Sequence, residues 1–208
     1  MDKSTYTFQA LSEKYEDFRG PAFTILVDGK ELSSTEMPIV RLEVKLSESM
    51  ISSCTFSVES LYDSEKSKWI NNLEETIKVG ATLKVSGGYT KQEQLFYGFV
   101  FEYNLEHSRD KPPRLVVKGM DGLAFLTNCY EPIYHGNKRP KAVVEEIFFK
   151  AVRAGYAKST QVDNMENLVT PLVKEVTSDY NYLRKLSQMY NLSLLAVRGE
   201  LYFGDLIS

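Results

Sequence analysis

The sequence predicts an α+β protein, mainly β, in which a small antiparallel β-barrel is followed by a helix-plus-hairpin subdomain. Two observations predict the barrel. Between Phe23 and Gly119, apolar and polar residues alternate with period two in successive short runs, and turn residues punctuate them. These runs give about six strands in about 100 residues, a count that suits a closed or nearly closed small barrel without exposed edges. The third observation places the subdomain: beyond residue 130 the apolar period changes to that of a helix in two stretches, and a hairpin pattern ends the chain.

Each element has its own signal. Phe8, Leu11, Tyr15 and Phe18 recur at spacings of three and four, which predicts a short N-terminal helical arm. Phe23, Ile25 and Val27 alternate up to Asp28-Gly29, a strong hairpin turn pair. Val40, Leu42, Val44 and Leu46 form a second half-buried run and Cys54, Phe56 and Val58 a third, joined through the polar loop at Glu48 and Ser49. Asp63 is placed to cap a short helix that would turn Trp69, Ile70 and Leu73 inward. Gly80 precedes a strand through Leu83 and Val85 that ends at Gly87-Gly88.

The next strand differs from the others. Leu95, Tyr97, Phe99, Phe101 and Tyr103 fall on one face, while Phe96 and Val100 fall on the other, so both faces want cover. The arm, the loop helix or another subunit could supply it, and Phe96 and Val100 are the residues expected at a subunit interface. Gly98 in mid-strand suits a bulge or a sharp bend. Lys111-Pro112-Pro113 reads as a turn, Leu115 to Val117 as a strand ending at Gly119, and Asp121-Gly122 leads into Leu123 to Leu126.

A division at residue 130 separates a barrel domain, 1–130 with its arm, from an α+β subdomain, 131–208. In the second part, Pro140 opens a helix of about 140–154 whose Val144, Ile147, Phe148 and Ala151 form one stripe, with Gly155 as its stop. Gln161 and Val162 suit a short strand. Ser178 caps a helix of about 178–190 with Tyr180, Leu183, Leu186 and Tyr190 on the buried side and Asp179, Arg184, Lys185 and Gln188 opposite. Leu192, Leu194 and Ala196 then alternate into the turn Arg198-Gly199, and Glu200 to Phe203 closes a hairpin of about 192–204.

Composition narrows the function. The 208 residues carry 25 basic against 28 acidic side chains, a net charge of -3 that speaks against a dedicated nucleic-acid binder. The one compact basic cluster, Lys138-Arg139 with Lys141, reads as a solvated loop before a helix. The sequence has no apolar run of about 18 residues and no signal-peptide pattern at its start, so neither membrane insertion nor secretion is expected. Cys54 and Cys129 stand far apart with no C-x-x-C, which disfavours a zinc or redox site; Cys54 reads as a small buried hydrophobe.

Catalytic sets fail one by one. The sequence holds no G-x-S-x-G, H-E-x-x-H, P-loop or G-x-G-x-x-G. His107, Ser108 and Asp110 share one turn and cannot arrange themselves as nucleophile, base and orienter. His135 lies in a loop. Glu131, Glu145 and Glu146 raise a carboxylate pair for glycoside hydrolysis, but neighbours on a helix point apart, and such a pair needs facing groups about 5 to 10 Å away from each other. No catalytic, cofactor or metal residue is assigned.

Two ordered sets of motifs carry a resemblance. The first is Ser178-Asp179-Tyr180 with Leu183 and Leu186, followed by a strand and a hairpin containing Gly199, Leu201, Phe203 and Gly204. The second is Phe23, Ile25, Val27 and Gly29, then Ser57-Val58-Glu59, Gly80, Gly88-Tyr89, Leu95-Phe96, Gly98, Val100, Val117, Gly119 and Asp121. Together they span most of 20–205, and their order resembles the late-control protein D family, the baseplate hub proteins of contractile phage tails, related to the N-terminal part of the type VI secretion spike protein VgrG. The resemblance implies a non-enzymatic structural hub that joins the hexameric tail tube to the trimeric spike. It also implies a homotrimer in the full-length form, tube and spike proteins as partners, no cofactor, and a place in the virion baseplate or injection particle after assembly in the bacterial cytoplasm. A family member would continue past Leu206-Ile207-Ser208 into a second barrel. Two alternatives are a tail-associated peptidoglycan hydrolase or its cell-wall-binding module, and a small-molecule-binding barrel with a deep aromatic pocket.

Overall fold

A computed structural model describes residues 22–32, 38–47, 50–59, 62–63, 65–66, 68–69, 73–89, 91–108, 111–134, 138–165 and 172–206. The N-terminal arm expected over Phe8 to Phe18 lies outside the described residues.

Among the described residues nine strands and two short helices come first: β1 (Ala22–Val27), β2 (Lys30–Glu31), β3 (Ile39–Lys45), β4 (Ser53–Glu59), β5 (Tyr62–Asp63), β6 (Lys68–Trp69), α1 (Leu73–Thr76), β7 (Thr82–Gly88), β8 (Glu93–Ser108), β9 (Lys111–Met120) and α2 (Gly122–Phe125). Seven of the strands make one antiparallel sheet in the order β2-β1-β7-β8-β9-β4-β3. That order is open: among the described residues β2 and β3 are its two ends, and no pairing closes it into a barrel. The sheet is nonetheless sharply coiled about β8. Leu83 on β7 reaches across to β9, where a Cβ on Gly119 would stand 2.4 Å from Leu83 Cδ2.

Alternation explains the core of this sheet. Ile25, Val27, Phe56, Val58, Leu83, Val85, Phe96, Val100, Leu115 and Val117 are all buried in one cluster, roofed by Leu73 and Ile77. The turn Asp28-Gly29 has φ of 47° and 76°, the left-handed pair that a tight hairpin between twisted strands requires.

Three expectations change here. Asp63 does not cap a helix; its carboxylate accepts the backbone N–H groups of Glu65 and Lys66, at 3.1 Å each, and closes a turn between β5 and β6. A local side chain that satisfies those donors makes a turn as well as a helix start. Pro112 and Pro113 lie within β9, opposite a bulge in β8 between Glu106 and Ser108, where a missing N–H costs the ladder least. The five-residue stripe on β8 is also broken. Bulges at Leu95 and Phe101 reset the alternation, so Tyr103 and Leu105 pair with Val117 and Leu115 on the inner face.

The second unit contains β10 (Ile133–Tyr134), α3 (Pro140–Arg153), β11 (Ser159–Val162), β12 (Val173–Lys174), α4 (Asp179–Tyr190), β13 (Ser193–Val197) and β14 (Glu200–Gly204). Ser178 caps α4 by accepting the Asn181 N–H at 3.1 Å, and Asn191 ends it in the left-handed region. The hairpin β13-β14 turns through Arg198 and Gly199, with φ of 52° and 88°, and β11 joins it in parallel. Helix α3 buries the expected stripe together with Val143, against Tyr180, Leu183, Leu201 and Phe203. This second core already takes in Leu123 and Leu126, so the two cores divide between Val117 and Leu123, ahead of residue 130.

Asp121 sits at that division. Its two carboxylate oxygens accept the N–H groups of Ser52 (2.6 Å) and Leu123 (2.9 Å), tying the start of β4 to the cap of α2. Burial outweighs these bonds and pushes its carboxyl from 3.8 up to about 6. A raised carboxyl binds its proton more tightly in the fold than in the unfolded chain. Its stabilisation is therefore complete below pH 3.8 and lost as pH climbs through about 6. Between pH 4 and 8 this group should remove up to about 3 kcal/mol of stability, and Asp121→Asn should flatten that slope in urea melts.

Candidate functional site

The long strand β8 dominates the surface chemistry. Its first half is covered from outside by the second unit: Phe99 stacks on Tyr156 at 4.3 Å, and Phe125 meets the same ring edge-on at 5.3 Å. Tyr97 donates its hydroxyl hydrogen to the Gly155 carbonyl at 3.0 Å, and Lys158 lies 4.6 Å above its ring. A Cβ on Gly199 would be 3.0 Å from the Tyr97 ring, so the hairpin turn rests directly on it. Gln94 bonds both Lys158 and the Arg198 carbonyl, and Arg198 pairs with Glu93 at 3.1 Å. The cover expected from an arm, a loop helix or a neighbour is thus supplied over this half by the chain's own second unit.

The other half of β8 is bare on one side. Pairing with β7 stops at Phe99, and the last backbone bonds on that side join Val100 to Gly80 and Ala81. Among the described residues, 101–108 therefore has β9 on one edge and no strand on the other. Phe101, Tyr103 and Leu105 are 40%, 41% and 44% exposed there. Phe96 and Val100 are elsewhere: at 2% and 0% exposed they belong to the chain's own sheet core, which leaves neither any surface for a neighbour to touch. A period-two count separates the faces of a strand without saying which one is inside.

The carboxylates do not converge. Glu146 is held by Lys138 at 2.6 Å, which also fixes the basic cluster as a solvated helix entry. Glu131 is 80% exposed and pairs with Lys150 at 3.4 Å, while Glu145 lines a shallow groove with Phe149 and Arg153. His107 is exposed at the end of β8; Arg109, Asp110 and His135 lie outside the described residues. Burial pushes the Cys54 thiol up to about 12, as for an inert core residue, and burial also raises that of Cys129. Among the described residues no three His, Cys, Asp or Glu side chains gather to hold a metal, and no helix is long and apolar enough to cross a membrane. A cavity of about 550 Å³ lies not inside the sheet but between Leu172, Glu175 and α4, walled by Tyr182, Lys185 and Leu186.

One polar cluster escaped the sequence reading. Asp179, expected on the exposed side of its helix, is 0% exposed; its carboxylate stands 2.8 Å from Lys150 Nζ and 2.6 Å from the equally buried Lys174 Nζ. Lys174 also donates to the Glu131 carbonyl at 2.6 Å, and its ammonium meets Asp179 Oδ1 as an ion pair. The Asp179 N–H in turn donates to the Cys129 carbonyl at 2.8 Å. Four segments are thereby tied at one point. Both Asp179 and Lys174 are buried, so the cluster ties segments together rather than facing a ligand.

Comparison with known proteins places this architecture. The 43 kDa tail protein of prophage MuSo2 from Shewanella oneidensis shares it with a TM-score of 0.65 at 16% identity, over 88% of this chain and 54% of that one. A tail protein from Neisseria meningitidis gives 0.59 at 16% identity, over 89% and 52%. The c3393 protein of E. coli, a component of the type VI secretion system, gives 0.55 at 12% identity, over 86% and 48%. Identities this low speak for a common fold, and the chain spans about half the length of each of these proteins. No curated protein matches the sequence. A family profile does match, over residues 19–203 and hence nearly the whole of both units. The chain belongs to the Alg8 N-terminal domain family.

Proposed function

We propose that this chain is a structural component of a contractile phage tail or a related injection system, acting as the baseplate hub that joins the hexameric tail tube to the trimeric spike. The observation that carries this reading is the shared fold, which aligns over 88% of the chain with a phage tail protein at a TM-score of 0.65. The interior is consistent with it, because the sheet core is filled with side chains and Glu131 and Glu146 sit in separate ion pairs. In this reading the coiled seven-stranded sheet is the first barrel of the hub. The full-length protein is a homotrimer, and the particle is assembled in the bacterial cytoplasm.

Labelling decides the matter. Antibody raised against this chain and applied to sheathed particles from the organism that makes it should decorate one end of the tube, and deleting the gene should abolish complete particles. Label absent from the particles would overturn the reading. So would clearing of bacterial cell walls in a zymogram, lost on changing Glu131, Glu145 or Glu146.

A further inference from the structure

The two open flanks of the sheet complement each other. Strand β3 forms one end of the sheet, and its seven residues have no partner beyond β4 among the described residues. Its outward side carries Arg41, Glu43 and Lys45, opposite Ser57, Thr55 and Ser53 of β4. Its inward side carries Leu42 and Val44, opposite the buried Phe56 and Cys54. The bare flank of β8 has eight residues, 101–108. Beyond the bulge at Phe101 its outward side carries Glu102, Asn104 and Glu106, and its inward side Tyr103 and Leu105.

Charges on a sheet edge ordinarily discourage pairing. Here one edge carries Arg41 and Lys45 on either side of Glu43, and the other carries Glu102, which also meets Lys118 at 3.4 Å, and Glu106. We infer that β3 of one copy of this chain pairs with the 101–108 flank of β8 in a second copy, continuing the sheet from molecule to molecule. In an antiparallel pairing centred on Glu43 and Asn104, Arg41 faces Glu106 and Lys45 faces Glu102. Strands β8 and β3 run in opposite directions within the sheet, so only this antiparallel pairing keeps the two inner faces on one side; Leu42 and Val44 then meet Leu105 and Tyr103 there, covering side chains that are now 44% and 41% exposed. The side chains of Arg41 and Lys45 are 68% and 72% exposed and stay within reach of a neighbour, despite their contacts with Glu43. The contact uses different surfaces on the two copies, so it is head-to-tail, and it closes into a ring or runs on.

The inference rests on the reading of the chain as an assembly subunit and is tested apart from particle labelling. Light scattering on the purified 208-residue chain at low salt should give a mass above that of one chain, 23.7 kDa, falling as salt rises. Glu102→Lys with Glu106→Lys should reduce it to a single chain. Adding Arg41→Glu and Lys45→Glu to that variant should restore association, because the complementarity is then reversed but intact. In a Cys129→Ser background, Glu43→Cys with Asn104→Cys should give disulfide-linked multimers under mild oxidation. A monomer at every concentration, or association indifferent to the four charges, overturns this pairing and leaves the tail reading to its own test. Association that follows the charges while particles go unlabelled overturns only the tail reading.

Discussion

Asp179→Ala should cost about 3 to 5 kcal/mol, the usual penalty for removing one partner of a buried ion pair. The reason is what it leaves behind. Lys174 is 1% exposed and would keep only the Glu131 carbonyl at 2.6 Å, while Lys150 would keep the largely solvated Glu131 carboxylate at 3.4 Å. Burial alone pulls the Lys150 ammonium down, and the Asp179 carboxylate, with Glu131 behind it, outweighs that pull and holds it above its ordinary value. Without Asp179 only the downward pull and a weak partner remain. Lys174→Met added to Asp179→Leu should recover most of the loss, since a well-packed apolar pair replaces two charges that were costly to bury. Urea melts of the single and double variants measure this; a loss below about 1 kcal/mol for Asp179→Ala would show that the cluster does not hold the second unit together.

That cluster shows where the sequence stops being informative. Turns and helix ends are local matters: Asp28-Gly29, Arg198-Gly199 and the Ser178 cap are decided by backbone geometry within a few residues, and each is where the alternation and capping residues put it. The stripe on α3 is equally local. Asp179 is not, because its burial depends on Lys150, 29 positions away on another helix. A carboxylate just after an N-cap reads as a solvated helix start until its partners are known. Strand β8 fails for a related reason. Its bulges at Leu95 and Phe101 arise from pairing with β7 and β9, and no count along one strand contains them. Hence a count along the strand puts Phe96 and Val100 on one face and Tyr103 on the other, whereas cross-strand register puts Tyr103 on the inner face with them and leaves the bare flank as the exposed feature.

The register that hides from the sequence makes one glycine indispensable. Gly98 lies in mid-strand opposite Leu83, and a Cβ there would stand 2.0 Å from the Met120 carbonyl oxygen and 2.9 Å from Asp121 Cα. The obstacle is backbone, so no rotamer relieves it; β9 would have to leave the ladder at the point where the sheet coils and Asp121 caps the next helix. Gly119 offers a control on the same two strands, because its Cβ would meet the Leu83 side chain, which can move. Gly98→Ala should therefore lose about 3 kcal/mol, the upper end of overpacking costs, and Gly119→Ala about 1 kcal/mol. The difference should appear in urea midpoints at equal slope, and faster amide exchange should be confined to β8 and β9 in the Gly98 variant. Equal losses at the two glycines would mean that the close approach of β8 to Met120 yields easily, and that the coil of the sheet is set by some other pair of strands.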